Sequence, residues 1–230
     1  MGRMQFSRRI VETVGRRVSP GAGDAIGNLL RELKVAFIHR RSLRRFRRDD
    51  LVAPFQLNLG CGSRPKRAWI NIDLGAEADY RLDVRRAWPF SKNSVDRIYS
   101  EHFFEHLEYP HEVNVFLLEA RRVLRSGGVL SMAVPDTAEI LEAYVSRDEE
   151  WFRLTRERWR PSWCDTPLHG VNYHFRQCDQ HKYAYDLETL SRVLEQVGFD
   201  GIRQRAFDPD LDSEYRRQGS LYVEVLQPDA

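Results

Sequence analysis

The stretch that most limits what this chain can fold into is Leu57-Asn58-Leu59-Gly60-Cys61-Gly62-Ser63, with Asp73 eleven residues after Gly62 in Trp69-Ile70-Asn71-Ile72-Asp73-Leu74. An apolar run leads straight into a Gly-X-Gly turn, and a second short apolar run ends on a carboxylate. Glycines are needed where backbone must turn tightly after a strand and let a ligand approach with no Cβ in the way. A carboxylate at the tip of the following strand can accept both hydroxyls of a ribose. The unit reads as a site for a nucleoside-bearing cofactor at the strand ends of a parallel α/β sheet.

Two other nucleotide motifs are excluded. The third glycine of the dinucleotide fingerprint would fall at Pro65, which prevents the close helix packing that glycine serves. No Gly-Lys-Ser/Thr follows, so a triphosphate-binding loop is absent as well.

Downstream, short apolar runs alternate with helical periodicity. Tyr80–Val84 predicts a third strand, Val95–Ser100 a fourth and Gly128–Val134 a fifth. A helix over Glu112–Leu124, with Val115, Leu118 and Val123 at helical spacing, is expected to stop at the glycine cap Ser126-Gly127-Gly128. A helix over Thr137–Val145 follows. Residues 147–180 break the alternation as an aromatic-rich insertion holding Trp151, Trp159, Trp163, Tyr173, His169 and His174; it is expected to lie over the ligand crevice or to pack as a satellite core. Asp186–Val197 predicts a helix capped by Gly198, and Phe199–Phe207 with Leu221–Leu226 an antiparallel pair closing the sheet. The expected fold is a doubly wound, seven-stranded, mostly parallel α/β sheet of Rossmann-like type over residues 54–230, behind a basic helical extension over 1–53.

In order, Leu-Asn-Leu-Gly-Cys-Gly, Asn-Ile-Asp-Leu, Leu-Asp-Val, Trp-Pro-Phe, Val-Asp-Arg-Ile, Phe-Glu-His-Leu and Leu-Arg-Ser-Gly-Gly-Val-Leu resemble the class I S-adenosylmethionine-dependent methyltransferases, especially the small bacterial methyltransferase-11-like group. The resemblance implies S-adenosylmethionine as cofactor. Gly60 and Gly62 would border its methionine part, Asp73 hold its ribose, and Asp83 with Val84 face its adenine. Asn58, Cys61, Leu74, Ser100 and Glu101 would complete the contacts. The chain departs from the family pattern at Asn58, where an acidic residue is usual, and at Arg64, where a third glycine is usual. The helix after the first strand is curtailed to about one turn or a loop over Ser63–Ala68.

Methyl transfer from a sulfonium is a direct displacement that the protein serves by alignment, and an oxygen acceptor gains further from a base. The segment after the fourth strand faces the transferred methyl in this fold, which brings forward Glu101, His102, Glu105 and His106. His106 is the first candidate base, His102 the second and Glu105 their companion, although His106 also suits a structural hydrogen bond steadying the next loop. No metal is expected. The alternative is that His102, Glu105 and His106, at i, i+3 and i+4, share one helical face, with a fourth ligand from His169, His174 or His181. His181-Lys182-Tyr183-Ala184-Tyr185 could contact the acceptor or pack at a helix entry.

Charge divides the chain. Residues 1–50 hold 13 Lys and Arg against 5 Asp and Glu, and the remainder holds 23 against 29. Asp24 is expected to cap a helix whose Ile26, Leu29, Leu30, Leu33 and Phe37 form one stripe, with Arg40, Arg41, Arg44, Arg45, Arg47 and Arg48 crowding its end. Over residues 24–48 such a helix either docks its stripe on the catalytic domain or lies on an anionic membrane. Ser7-Arg8-Arg9 lacks the apolar core of an export signal, and Phe6 breaks the myristoylation pattern after Gly2. Cys61, Cys164 and Cys178 have no metal-ligand spacing and are expected to be reduced thiols in a cytoplasmic protein with candidate membrane association. The expected acceptor is a hydroxyl or carboxyl of a small molecule, a bacterial glycan or a lipid-linked saccharide, in keeping with cell-envelope biosynthesis. RNA methylation is permitted by the arginines but supported by no base-recognition motif. A catalytically inactive scaffold subunit is the reading from a different class.

Overall fold

The computed structural model describes residues 11–15 and 17–228; the motifs at Gly2–Phe6 and Ser7–Arg9 lie outside them. Helix α1 spans Pro20–Phe46 and is followed by β1 (Phe55–Leu59), β2 (Ile70–Ile72) and β3 (Val95–Glu101). Helix α2 (His111–Val123) runs directly into β4 (Leu124–Pro135). Helices α3 (Thr137–Ser146), α4 (Glu149–Trp159), α5 (Pro167–Arg176) and α6 (Leu187–Gln196) come next, then β5 (Asp200–Gln204) and β6 (Ser220–Leu226).

The sheet has six strands in the order β2-β1-β3-β4-β6-β5. Strands β2, β1, β3 and β4 are mutually parallel, and β6 runs antiparallel to both β4 and β5. The antiparallel strand therefore lies one place in from the edge. Leu57, Leu59, Ile98, Leu130, Val223 and Val225 form the sheet's buried interior. Helix α2 covers it with Val113, Phe116, Leu117, Ala120 and Val123, while Leu118 faces solvent. Successive side chains one turn apart make that face, so the stripe sits one residue away from the expected Val115–Leu118 register.

Several expectations need correction. The expected third strand, Tyr80–Val84, is reduced to a single bridge between Ile72 and Tyr80, which leaves six strands instead of seven. Beyond it, Ser42 Oγ accepts from the Arg81 amide and His39 Nδ1 from the Asp83 amide. Side chains of α1 thus take N–H groups that a strand partner would otherwise pair. Gly127 and Gly128 do not cap α2: Leu124 is already extended, and Gly127, with φ +68°, forms an irregularity inside β4. Strand β5 covers only Asp200–Gln204 of the expected Phe199–Phe207.

Helix α1 is capped by Ser19, whose side chain accepts from the Ala22 amide, and Asp24 lies inside it. Docking is through Val35, His39, Ser42, Leu43 and Phe46. The predicted apolar stripe faces outward: Leu29, Leu33 and Phe37 are 59%, 59% and 67% exposed. No helix among the described residues is long and apolar enough to cross a membrane.

Candidate active site

Three adjoining cavities form one trench along the carboxyl ends of β1, β2, β3 and β4. The first, about 400 Å³, is lined by Asp73, Leu74, Leu82, Asp83, Val84 and Arg85. The second, about 550 Å³, lies over the glycine turn with Asn58, Cys61, Gly62, Arg64 and Tyr99. These two share Gly60, Asp73, Phe103 and His106. The third, about 230 Å³, lies under the insertion among Trp151, Trp159, Arg160, Tyr173 and His174, and shares His102, Tyr215 and Arg216 with the second.

Strand β1 ends at Leu59, and the chain reverses through Gly60 and Gly62, both with positive φ (+69° and +52°). A Cβ on Gly60 would lie 2.3 Å from the Phe103 ring, so side-chain packing forbids one there before any ligand does. A Cβ on Gly62 would meet nothing within 4 Å. That open turn fits a cofactor lying against bare backbone. Asp73 accepts from the Gly62 amide at 3.0 Å and the Gly75 amide at 2.6 Å, fastening the tip of β2 to the turn. Each oxygen keeps acceptor capacity toward the trench. Asn58 is buried and serves as a clasp, donating to Asn71 Oδ1 and the Arg64 carbonyl. No helix follows the turn; residues 63–68 form turns and irregular chain.

The other expected cofactor residues divide. Asp83 is held by Arg85 Nε at 2.8 Å and by Arg86. Burial would raise its carboxyl, but Arg85 overrides that, leaving it below the usual carboxylate range. Its oxygens are thus committed to arginines, whereas Leu74 and Val84 offer apolar wall. Burial pushes the Cys61 thiol up to about 12, so it is an inert small side chain. Ser100 is 1% exposed inside the sheet, and its hydroxyl has no partner among the described residues. Glu101 accepts from the amide and hydroxyl of Ser213, tethering the 213–216 segment across the trench.

His102 has φ +49°, a conformation that non-glycine residues rarely adopt. Phe104–His106 form a single 3-10 turn, so the expected α-helical face does not exist. Glu105 is nevertheless brought within 3.7 Å of His102, 3.9 Å of His106 and 3.9 Å of His181. Neither of its carboxylate oxygens has a hydrogen-bond partner among the described residues, and burial pushes the carboxyl up to about 8. Burial also lowers His102 well below the usual imidazole range, and lowers His106 as well. His174 falls to about 3 and His181 to about 4 by the same cause. His169 sits apart, paired with Asp165.

The structure also makes contacts that the sequence did not foresee. Arg64 stacks on the Tyr215 ring 3.8 Å from its centroid, joining the glycine turn to the 213–216 segment. Arg160 packs over Trp151 and Phe152. Gly170 leaves room for it, since a Cβ there would stand 2.5 Å from the guanidinium. Arg160 makes no hydrogen bond or ion pair with the described residues, and burial lowers its pKa to about 10. The only sequence signal was the interruption at 147–180 itself; nothing in spacing connects Arg64 to Tyr215.

Residues 65–132 match the family Methyltransf_11, described as a methyltransferase domain. No curated protein matches the chain. Among solved structures, the CurJ carbon methyltransferase is 16% identical with a TM-score of 0.45, covering 78% of this chain and 50% of its own. The Haemonchus contortus phosphoethanolamine N-methyltransferase 2, in complex with S-adenosyl-L-methionine, is 12% identical (TM-score 0.44; 83% and 53%). An Archaeoglobus fulgidus SAM-dependent methyltransferase is 14% identical (TM-score 0.44; 84% and 94%). This chain thus spans about half the length of the first two. At such distances the likenesses bear on no substrate.

Proposed function

We propose, from the premise that the chain is a class I S-adenosylmethionine-dependent methyltransferase, that its acceptor is an anionic small molecule or acidic saccharide methylated on a hydroxyl or carboxyl. The observation that carries this reading is Arg160: a guanidinium without an ion-pair partner among the described residues, held by aromatic rings in the wall of the third cavity. A half-buried guanidinium with no counter-charge beside it among the described residues is a ready partner for an acceptor carboxylate or phosphate. Trp151, Trp159 and Tyr173 in the same wall suit a flat or ring-shaped body beside that charge.

S-adenosylmethionine supplies a methyl group activated as a sulfonium. The glycine turn and Asp73 would hold it, with Leu74 and Val84 as apolar wall. The acceptor enters from the Arg160 side, and Tyr215 and Arg216 border the opening between the two cavities. A hydroxyl acceptor would lose its proton toward His102 or His106, which line the cavities at that border, with Glu105 buried behind them. Labelled cofactor offered with a panel of neutral and acidic saccharides and metabolites tests the reading. Arg160→Gln should raise the acceptor KM about tenfold or more while cofactor affinity holds. Methylation of neutral acceptors alone would sink the anionic assignment; no cofactor binding at all would favour a scaffold.

Helix α1 supports a second contact, with an anionic membrane. Its outward face reads Leu29, Leu33, Phe37, then Arg40, Arg44 and Arg47, each three or four residues on, so apolar and basic halves share one side. All six are exposed. The apolar half would enter the interface and the arginines meet lipid phosphates.

A further inference from the structure

Glu105 is 2% exposed, with both carboxylate oxygens unpartnered among the described residues and three imidazoles around one of them. Hydrogen bonds fix which way each imidazole faces. His106 Nδ1 lies 2.9 Å from the Gln180 carbonyl and His181 Nδ1 2.5 Å from the His174 carbonyl. A carbonyl only accepts, so each Nδ1 carries the proton and each Nε2 keeps its lone pair. His102 Nε2 lies 2.7 Å from Ser220 Oγ, whose own proton goes to the Arg216 carbonyl. His102 Nε2 therefore donates, and its Nδ1 keeps the lone pair.

Those three lone-pair nitrogens are the atoms that face Glu105 Oε1, at 3.7 Å from His102 and 3.9 Å from His106 and His181. Donor atoms without protons repel one another across such a gap. The distances are also too long for a proton shared in a hydrogen bond. They suit a cation instead: with bonds of about 2.0–2.2 Å, the ligands of one such ion stand about 3–4 Å apart. The ligand atoms of Glu105, His106 and His181 lie within 4.8 Å of one another. Imidazoles whose far nitrogen donates to a carbonyl or hydroxyl are the usual outer shell of a metal site.

We propose that Glu105, His106 and His181 form a three-ligand binding site for one divalent transition-metal ion of the zinc class, with one coordination position left open. Imidazole with one carboxylate selects that class over magnesium and calcium, which prefer all-oxygen shells. The site stands where the glycine-turn cavity meets the cavity under the insertion. An ion there would hold an acceptor oxygen and favour its deprotonated form. The inference deepens the acceptor reading above, yet its test is ion binding, so either can fail while the other stands.

Full-length protein stripped with a chelator is titrated with Zn2+ and with Co2+, using Mg2+ as control. One equivalent of Zn2+ should bind and raise the melting temperature, and Co2+ should give visible absorption of a nitrogen-ligated ion; Mg2+ should do neither. Glu105→Gln and His181→Ala should each weaken Co2+ binding by more than about a hundredfold, since losing an outer-shell partner alone costs about 10–100-fold. His169→Ala, a surface histidine paired with Asp165, should bind as the unmodified protein does. His106→Ala, at a half-buried position, gives the same reading if the Glu105 variant fails to fold. No uptake of Zn2+ or Co2+, or uptake that survives loss of Glu105, His106 and His181 singly, overturns the proposal.

Discussion

The two ends of the trench are built in opposite ways. On the glycine-turn side most polar side chains satisfy one another: Asn58 clasps Asn71, Asp73 fastens two glycine amides, and Asp83 is held by Arg85 and Arg86, the buried Ser100 hydroxyl being an exception. Under the insertion they do not. Glu105 has two orphaned oxygens, and Arg160 has no ion-pair partner among the described residues. An unpaired buried carboxyl costs stability, and under the readings proposed above a bound species would complete that end of the trench. Under those proposals the first end is self-paired scaffold facing the cofactor, and the second is completed by acceptor and ion.

The largest test of this contrast is Gly60→Val. Its Cβ would collide with Phe103 at a φ of +69°, so stability should fall by about 3 kcal/mol or more in a denaturant melt. A variant that melts normally and loses only cofactor affinity would mean the turn is held by the ligand rather than by packing. Asp73→Ala should weaken cofactor binding by about 2 kcal/mol in calorimetric titration, through loss of a charged acceptor. Unchanged affinity in a folded variant would remove Asp73 from the site.

At the other end the sign should reverse. Glu105→Met, measured in chelator-stripped protein, should stabilise the fold by about 1 kcal/mol while methyl transfer is lost, because an unpaired buried carboxyl is replaced by apolar volume. A destabilised variant would show that Glu105 is structurally satisfied in solution and would erase the contrast. The smallest effect on stability should come from Leu29→Ser with Leu33→Ser. Both residues are exposed, and the pair should leave the free energy of unfolding within about 0.5 kcal/mol of the unmodified protein. Their effect should appear instead in sedimentation with anionic vesicles at low salt; binding that is absent from the start removes the membrane contact.

The outward stripe of α1 shows where sequence reading stopped. Periodicity placed Leu29, Leu33 and Phe37 on one face, and they do share one, but periodicity cannot say whether a face meets protein or solvent. The helix docks instead through Val35, His39 and Ser42, because two of those side chains bond the backbone after Tyr80 and so replace a seventh strand. Hydrogen bonds between residues some forty positions apart leave no periodic trace.

What the sequence by itself determined is the part governed by local rules. Gly60 and Gly62 dictate the turn, alternation of apolar runs dictates a parallel sheet, and the short stretch after Ser63 leaves no room for a helix. Caps at Asp136 and Asp186 follow from the same near-neighbour chemistry. Only the tertiary structure decided what meets across the trench. Spacing alone put His102, Glu105 and His106 on one helical face; the backbone there is a 3-10 turn after a left-handed residue. His181 completes the group by arriving from beyond the insertion, and Arg64 finds Tyr215 across 151 positions of chain. The first encounter is fixed by the Lys182 amide bonding the Glu105 carbonyl and the second by Ser213 bonding Glu101, long-range hydrogen bonds that composition and period do not encode.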